Sequence, residues 1–240
     1  QAYFYHEGWW NTIELGDLNN DGKLDLVVGN HGENSRFKAS KSKPVSMYIN
    51  DFDDNNSIEQ VIFQYNGDSS YTMALRHDLV MQMPGLKKRY LKYNSYKNQT
   101  VHDIFSPEKI RTSHVNLVHD LKTSAFLNKG NDFEKISLPI ESQFSNIFSV
   151  GIDDYNNDGY SDIILAGNLY DVKPEVGRYD ANYGQILLGG EELKFEVVPY
   201  NYSGLLLDSQ VRDFSILKNL GGKNYLLVLN NNDTLQSYSF

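Results

Sequence analysis

Asp17, Asn19, Asp21 and Asp25 recur at short, even spacing, with Gly22 among them. All four side chains offer oxygen, and Lys23, at position 7 of the same stretch, can add its backbone carbonyl. Carboxylates crowded into Asp17–Asp25 repel one another unless a cation sits among them. The hard cation that takes six to eight oxygens, at about 2.3–2.6 Å, is calcium. Gly22 stands at position 6, where the chain must turn sharply with positive φ. The chemistry to expect is binding of calcium by a loop whose folded form depends on the ion.

The stretch has a copy. Gly16–Val28 aligns without gaps on Asp153–Leu165. Asp154, Asn156, Asp158 and Asp162 fall on positions 1, 3, 5 and 9, Tyr160 supplies the carbonyl of position 7, and Gly159 the turn. A weaker copy runs from Asn50 to Ile62, with Asp51, Asp53, Asn55 and Glu59 at the same positions and Ser57 at position 7. Asn56 replaces the glycine there, and asparagine is the next best residue for left-handed backbone. Glu59 is one carbon longer than aspartate and can still reach an ion. Such turns can also hold themselves by side-chain hydrogen bonds without metal, an alternative that stays open above all for the loop at Asp51. Calcium is thus expected at Asp17 and Asp154, with a third site open at Asp51. Around Asp213 the strand order recurs without acidic ligands, Lys218-Asn219-Leu220-Gly221-Gly222 making the turn, and no ion is expected.

Strands must position these loops. Asp25–Gly29, Val45–Ile49, Val61–Tyr65, Ile163–Gly167, Gln185–Gly190, Phe195–Val198 and Tyr225–Leu229 are short, rich in β-branched or aromatic residues, and bounded by turn residues such as Asn66-Gly67-Asp68. Residues 74–110 break the rhythm and read as a helical insertion. Leu75, Leu79 and Met83 lie near one face; Pro84-Gly85 ends that segment; a short helix is expected within Thr100–Phe105, stopped by Ser106-Pro107. This insertion caps a sheet edge or docks a partner; Lys87-Lys88-Arg89 is too short a basic run for a nucleic-acid or membrane site. Position 12 of the loops is Val28 or Leu165 rather than glutamate, and strand follows rather than helix, which excludes an EF-hand and argues against a dockerin.

The 240 residues carry a formal charge of −9. An acidic chain is a poor partner for nucleic acid. The absence of cysteine excludes disulfides, thiolate metal sites and cysteine catalysis. No stretch reaches the apolar length of a membrane span. No signal peptide is visible at Gln1, and removal of an export signal is compatible with that start.

The strand–loop–strand unit, ending in Leu24-Asp25-Leu26-Val27-Val28-Gly29, resembles the FG-GAP or VCBS repeat also seen in integrin α-subunits. A closer resemblance is to bacterial VCBS proteins of the ASPIC/UnbV group, related to cartilage acidic protein and common in Bacteroidetes. It rests on Val45–Asp53, on Arg76-His77-Asp78-Leu79 with Met83–Lys88, and on Ala166-Gly167-Asn168 with Gly177–Ala181. The resemblance implies an all-β chain of propeller blades, each of four antiparallel strands with calcium between the first two. The whole chain, 1–240, then reads as one propeller region with a helical insertion. It supplies about four blades where such propellers close with about six to eight. Open sheet edges are unfavourable, so a C-terminal piece of a longer protein, or closure against another subunit, is expected.

The function expected is a non-enzymatic, calcium-dependent adhesion or interaction module, exported to the cell surface or outside, where calcium is abundant. Its partner is a protein or a carbohydrate. The alternative is a carbohydrate-active enzyme of the calcium-propeller lyase kind, or a carbohydrate-binding subunit of a surface nutrient-uptake complex. His114, His119, Arg178 and Tyr179 are the residues to inspect for catalysis, and Trp9, Trp10 and Tyr183 for stacking on a sugar. His31, His77 and His102 read as structural or surface histidines, and Arg178-Tyr179-Asp180 as a loop closed by an ion pair. No Ser/His/Asp arrangement, HExxH or phosphate loop is present.

Overall fold

The computed structural model describes residues 6–218 and 223–239, which form two compact units. The first is built from Trp9–Arg36 and Leu121–Phe240, the second from Phe37–Asp120 with the short segment that ends at Gly8. Along the chain, β1 (Thr12–Gly16) and β2 (Asp25–Gly29) pair antiparallel, Gly16 opposite Asp25. The second unit follows: β3 (Val45–Asn50), β4 (Glu59–Asn66), β5 (Ser69–Thr72), helices α1 (Arg76–Gln82), α2 (Leu86–Arg89), α3 (Val101–Ile104) and α4 (Pro107–Thr112), then β6 (His114–Val118). Back in the first unit come β7 (Ser124–Asn128), β8 (Phe133–Ser137), β9 (Ile147–Asp153), β10 (Asp162–Gly167), β11 (Gln185–Leu188), β12 (Glu196–Val198), the one-turn α5 (Tyr200–Ser203), β13 (Val211–Lys218), β14 (Asn224–Asn230) and β15 (Gln236–Ser239).

The first unit holds three sheets, ordered β1-β2-β7-β8, β12-β11-β10-β9 and β13-β14-β15, and the second unit one sheet, β5-β4-β3-β6. Among the described residues, all pairings between these strands are antiparallel and no sheet closes on itself. The fold is mostly β. In sequence, the whole second unit is an excursion between β2 and β7, neighbours in one sheet. The turn expected at Lys218–Gly222 joins β13 to β14, and its residues 219–222 lie outside the described ones.

The middle sheet of the first unit explains why β10 reads as an unbroken apolar run, since a strand covered on both faces needs no polar alternation. Ile163 and Leu165 point into a core shared with Val27, Ala125 and Leu127 of the first sheet. Ile164 and Ala166 point the other way, into a core with Val211, Phe214, Leu226 and Val228 of the third. Each fully buried side chain of this size is worth about 1.5–3 kcal/mol. Gly167 ends β10 at an irregularity of register. A Cβ there would lie 1.7 Å from the Asn146 carbonyl oxygen, so only glycine permits that approach.

In the second unit, Val61 and Phe63 of β4 share a core with Leu79, Met83, Tyr90, Tyr96, Val101, Ile104 and Phe105. Leu79 and Met83 enter it as the spacing predicts, but Leu75 caps α1 and stays exposed. Ser106-Pro107 does more than stop a helix: Pro107 opens α4, and the Ser106 hydroxyl accepts the Lys109 N–H, so the helical stretch runs on to Thr112. Burial pushes the Tyr96 phenol up to about 12, and its hydroxyl donates to the Ala74 carbonyl. Strands β1, β5, β6, β7, β8, β9, β13 and β15 are not among those picked from the sequence. Most are half exposed, with polar residues that mask the alternation.

Candidate metal centres

Each of the three acidic loops joins two consecutive antiparallel strands: β1 to β2 and β9 to β10, an edge strand and its neighbour, and β3 to β4, the two central strands of their sheet. The hydrogen bonds made by the N–H groups of positions 5, 6 and 7 repeat residue for residue. The two oxygens of Asp17 accept from the N–H groups of Asp21 and Gly22, at 3.1 and 2.8 Å. Asp154 accepts from Asp158 and Gly159, at 3.1 and 2.9 Å. Asp51 accepts from Asn55 and Asn56, at 3.0 and 2.9 Å. Position 5 then accepts from the N–H of position 7: Asp21 from Lys23, Asp158 from Tyr160, Asn55 from Ser57. Asn19 and Asn156 also accept from the N–H of position 5.

Two residues per loop take left-handed backbone. Position 6 does so as expected, at Gly22 (φ 81°), Gly159 (φ 91°) and Asn56 (φ 63°). Position 4 does so as well, at Asn20 (φ 58°), Asn157 (φ 61°) and Asp54 (φ 60°). Asn or Asp at position 4 in all three loops is the sequence signal for that second left-handed residue. Position 2 carries a signal too. Leu18 and Phe52 are buried there, and the Tyr155 hydroxyl is pushed far above its usual range by burial. An apolar residue inside an acidic string is the mark of a loop pinned to a core.

Position 9 is a brace as well as a candidate ligand. Asp25 and Asp162 are wholly buried. Asp25 accepts from Leu18 N–H at 2.9 Å and from Asn128 N–H at 2.8 Å, tying its loop to the end of β7. Asp162 accepts from Tyr155 N–H at 2.9 Å and from Gly189 N–H, just past β11, at 2.9 Å. Burial raises the Asp162 carboxyl above its usual range, while these donors pull the other way. Glu59 is buried too, and accepts from Phe52 N–H at 2.9 Å.

Neighbouring cations differ between the loops. Lys23 Nζ lies 3.2 Å from Asp21, whose carboxyl is held below its usual range first by the Lys23 N–H. Lys109, from α4, donates to the Asp51 carbonyl and to Asp54, each at 2.5 Å, and Asp54 raises its ammonium above the usual range. The donor sets fit calcium: each is oxygen only, with carboxylates at three positions. In the loop with the weakest sequence match, carboxylate oxygens of Asp51, Asp53 and Glu59 all lie within 4.8 Å of one another. Oxygens on opposite sides of a calcium ion are about 5 Å apart, twice the usual bond length.

The other residues picked from the sequence are divided between the two units. His114 and His119 belong to the second unit, Arg178 and Tyr179 to the first. His114 pairs with Asn116 at 2.8 Å, and His119 with Glu7 at 2.5 Å. Arg178 lies over the Tyr170 ring at 4.8 Å, and Tyr179 pairs with Leu169 through a backbone bridge and meets the His31 ring edge-on. His31 is buried; the Asn146 amide lies 2.7 Å from its Nδ1, Trp9 packs at its edge, and desolvation lowers its pKa to about 4. His77 is exposed beside Asp78, and Trp10 packs on Phe126.

An FG-GAP repeat is found at residues 9–42, a stretch that contains β1, the loop at Asp17 and β2. No curated protein and no solved structure matches the chain. Among the described residues, no helix is long and apolar enough to cross a membrane.

Proposed function

We propose that this chain is a calcium-binding, non-enzymatic interaction module acting outside the cell or at its surface, its sheets serving as blades of a β-propeller. The observation that carries the reading is the thrice-repeated loop: each joins two consecutive antiparallel strands, with the same hydrogen bonds from the N–H groups of positions 5, 6 and 7 and the same two left-handed positions. The FG-GAP repeat supports it, as that repeat is shared with integrin α-subunits. So does the packing of the first unit, where β1 neighbours β9 and β9 neighbours β13, the radial order expected of blades.

Asp17, Asn19, Asp21 and Asp25 would hold one ion with the carbonyl of Lys23. Asp154, Asn156, Asp158 and Asp162 would hold a second with Tyr160, and Asp51, Asp53, Asn55 and Glu59 a third with Ser57. Bound calcium supplies positive charge that lets the carboxylates stay close. The chain's own contribution is to fix loop shape through the N–H groups at positions 5, 6 and 7. Sites of this open kind suit the millimolar calcium outside cells.

The partner is a protein or a carbohydrate presented at the surface, with other blades or a further subunit completing the array. The carbohydrate arm draws on Tyr183, which is exposed and lies 5.9 Å from the exposed Tyr200 ring, a pair able to stack on sugar rings. The narrower likeness to the ASPIC/UnbV and cartilage acidic protein group rests on the sequence segments quoted for it.

Thermal melting with chelator and with millimolar calcium tests the reading. A hundredfold excess over Kd stabilises by about 2.7 kcal/mol per site, a rise of several degrees for a chain of this size. An unchanged melting temperature would sink the calcium reading.

A further inference from the structure

The loops at Asp17 and Asp154 touch. The Ser161 hydroxyl donates to the Asp17 carbonyl at 2.7 Å, and the Asn20 side-chain amide donates to the Gly159 carbonyl at 2.8 Å. Each bond starts or ends at a residue whose conformation decides whether its loop can close. Asp17 is position 1. Asn20 is the left-handed position 4. Gly159 is the left-handed position 6, and Ser161 sits between the carbonyl of position 7 and the carboxylate of position 9.

The two bonds run in opposite senses, one donated by each loop. The carbonyls that accept them, of Asp17 and Gly159, are not among the proposed ligand oxygens. An ion in either loop therefore leaves the link intact. Beneath it the strands are in close contact as well: a Cβ on Gly16 would lie 2.6 Å from the Ile152 side chain.

We infer that the loops at Asp17 and Asp154 bind cations with positive coupling, transmitted by the Ser161–Asp17 and Asn20–Gly159 hydrogen bonds. This rests on the calcium reading of both loops. An ion that orders the loop at Asp154 fixes Gly159 and Ser161. That pre-sets the Asp17 carbonyl and the Asn20 backbone, so the second ion meets a loop with less conformational freedom left to lose. Repulsion between two dications opposes the effect, and physiological salt screens it between exposed sites. The loop at Asp51, in the second unit, is held by Lys109 of the helical segment.

The test is calorimetric titration of calcium chloride into chelator-treated chain at about 0.15 M salt. Four forms are compared: the natural chain, Asp158→Ala, the pair Ser161→Ala with Asn20→Gly, and all three changes together. Asp158 is exposed, so its replacement disables the loop without opening the core, and glycine at 20 keeps the left-handed backbone while removing the amide. Disabling the loop at Asp154 is expected to weaken calcium at Asp17 by about fivefold in the natural background. In the background lacking the two hydrogen bonds, the same disabling changes it by less than about twofold.

Amide exchange at Asp21 and Gly22 gives a second readout. Their protection in calcium falls on Asp158→Ala only when the link is present. Calcium affinity at Asp17 that ignores the state of the other loop, or coupling that survives loss of both bonds, overturns the inference and leaves the calcium reading standing. A natural chain that takes up no calcium overturns both.

Discussion

In the first unit, the loops at Asp17 and Asp154 brace each other and are stapled to a third strand by a wholly buried aspartate. In the second unit, the loop at Asp51 leans on helices instead. Phe52 stacks on Phe105 with ring centroids 3.8 Å apart, Lys109 grips the loop from α4, and Asn50 donates to the Lys109 carbonyl at 2.8 Å. The backbone plan is one and the same. What differs is the surroundings: sheets supply the brace in one unit, an inserted helical segment in the other. The lesson is that the acidic string specifies the loop, while residues outside the string decide what the loop holds in place.

The largest break in this comparison should come at position 9. Asp25→Ala or Asp162→Ala leaves two N–H groups without their carboxylate acceptor, one buried and one part-buried at Asp25 and both part-buried at Asp162, and should cost about 2–4 kcal/mol, in chelator, by urea unfolding. Glu59→Ala strands one and should cost about 1–3 kcal/mol. Equal losses in the two units would contradict the stapling difference.

That staple also marks where the sequence stopped being legible. The spacing of Asp17, Asn19, Asp21 and Asp25 reveals a candidate ligand set. It cannot reveal that Asp25 also accepts from Asn128, because that partner arrives only after the whole second unit has been inserted. The excursion between β2 and β7 escaped notice for the same reason: nothing local to Gly29 or Ser124 says that they share a sheet. Strands buried on one or both faces, such as β2, β4, β10 and β14, were legible from their apolar runs. Edge strands such as β1 and β6, whose side chains are mostly exposed, were not. Ser106-Pro107 is ambiguous in sequence, because Ser-Pro marks a helix start as well as an end, and here it opens α4.

A second contrast between the units lies in acid. His31 of the first unit is buried with a pKa near 4, against the ordinary 6.5. The unfolded chain therefore binds more protons between pH 6.5 and 4. The neutral imidazole's contribution is fully present above pH 6.5 and is lost as pH falls toward 4, by about 3 kcal/mol in all. Unfolding free energy measured across that window should lose this slope in His31→Gln, and an unaltered slope would remove His31 from the account.

Smaller effects sharpen the comparison at the turns. Gly22→Ala should destabilise the loop at Asp17 by about 1 kcal/mol, because alanine resists φ 81°. Asn56→Gly should stabilise the loop at Asp51 by a few tenths, about 0.3 kcal/mol, since asparagine already tolerates the conformation. The same sign for both would show that the two turns do not share one backbone plan. Of similar size is Lys23→Gln: freeing Asp21 from the ammonium should tighten calcium at that loop by about twofold, read by titration.

Counting the ion itself tests the central claim most directly. Equilibrium dialysis in millimolar calcium, followed by elemental analysis, gives ions bound per chain. The account predicts binding at both Asp17 and Asp154, with one ion lost on Asp21→Ala and a different one on Asp158→Ala. A chain that retains no calcium after dialysis, or a count that neither substitution lowers, would contradict it.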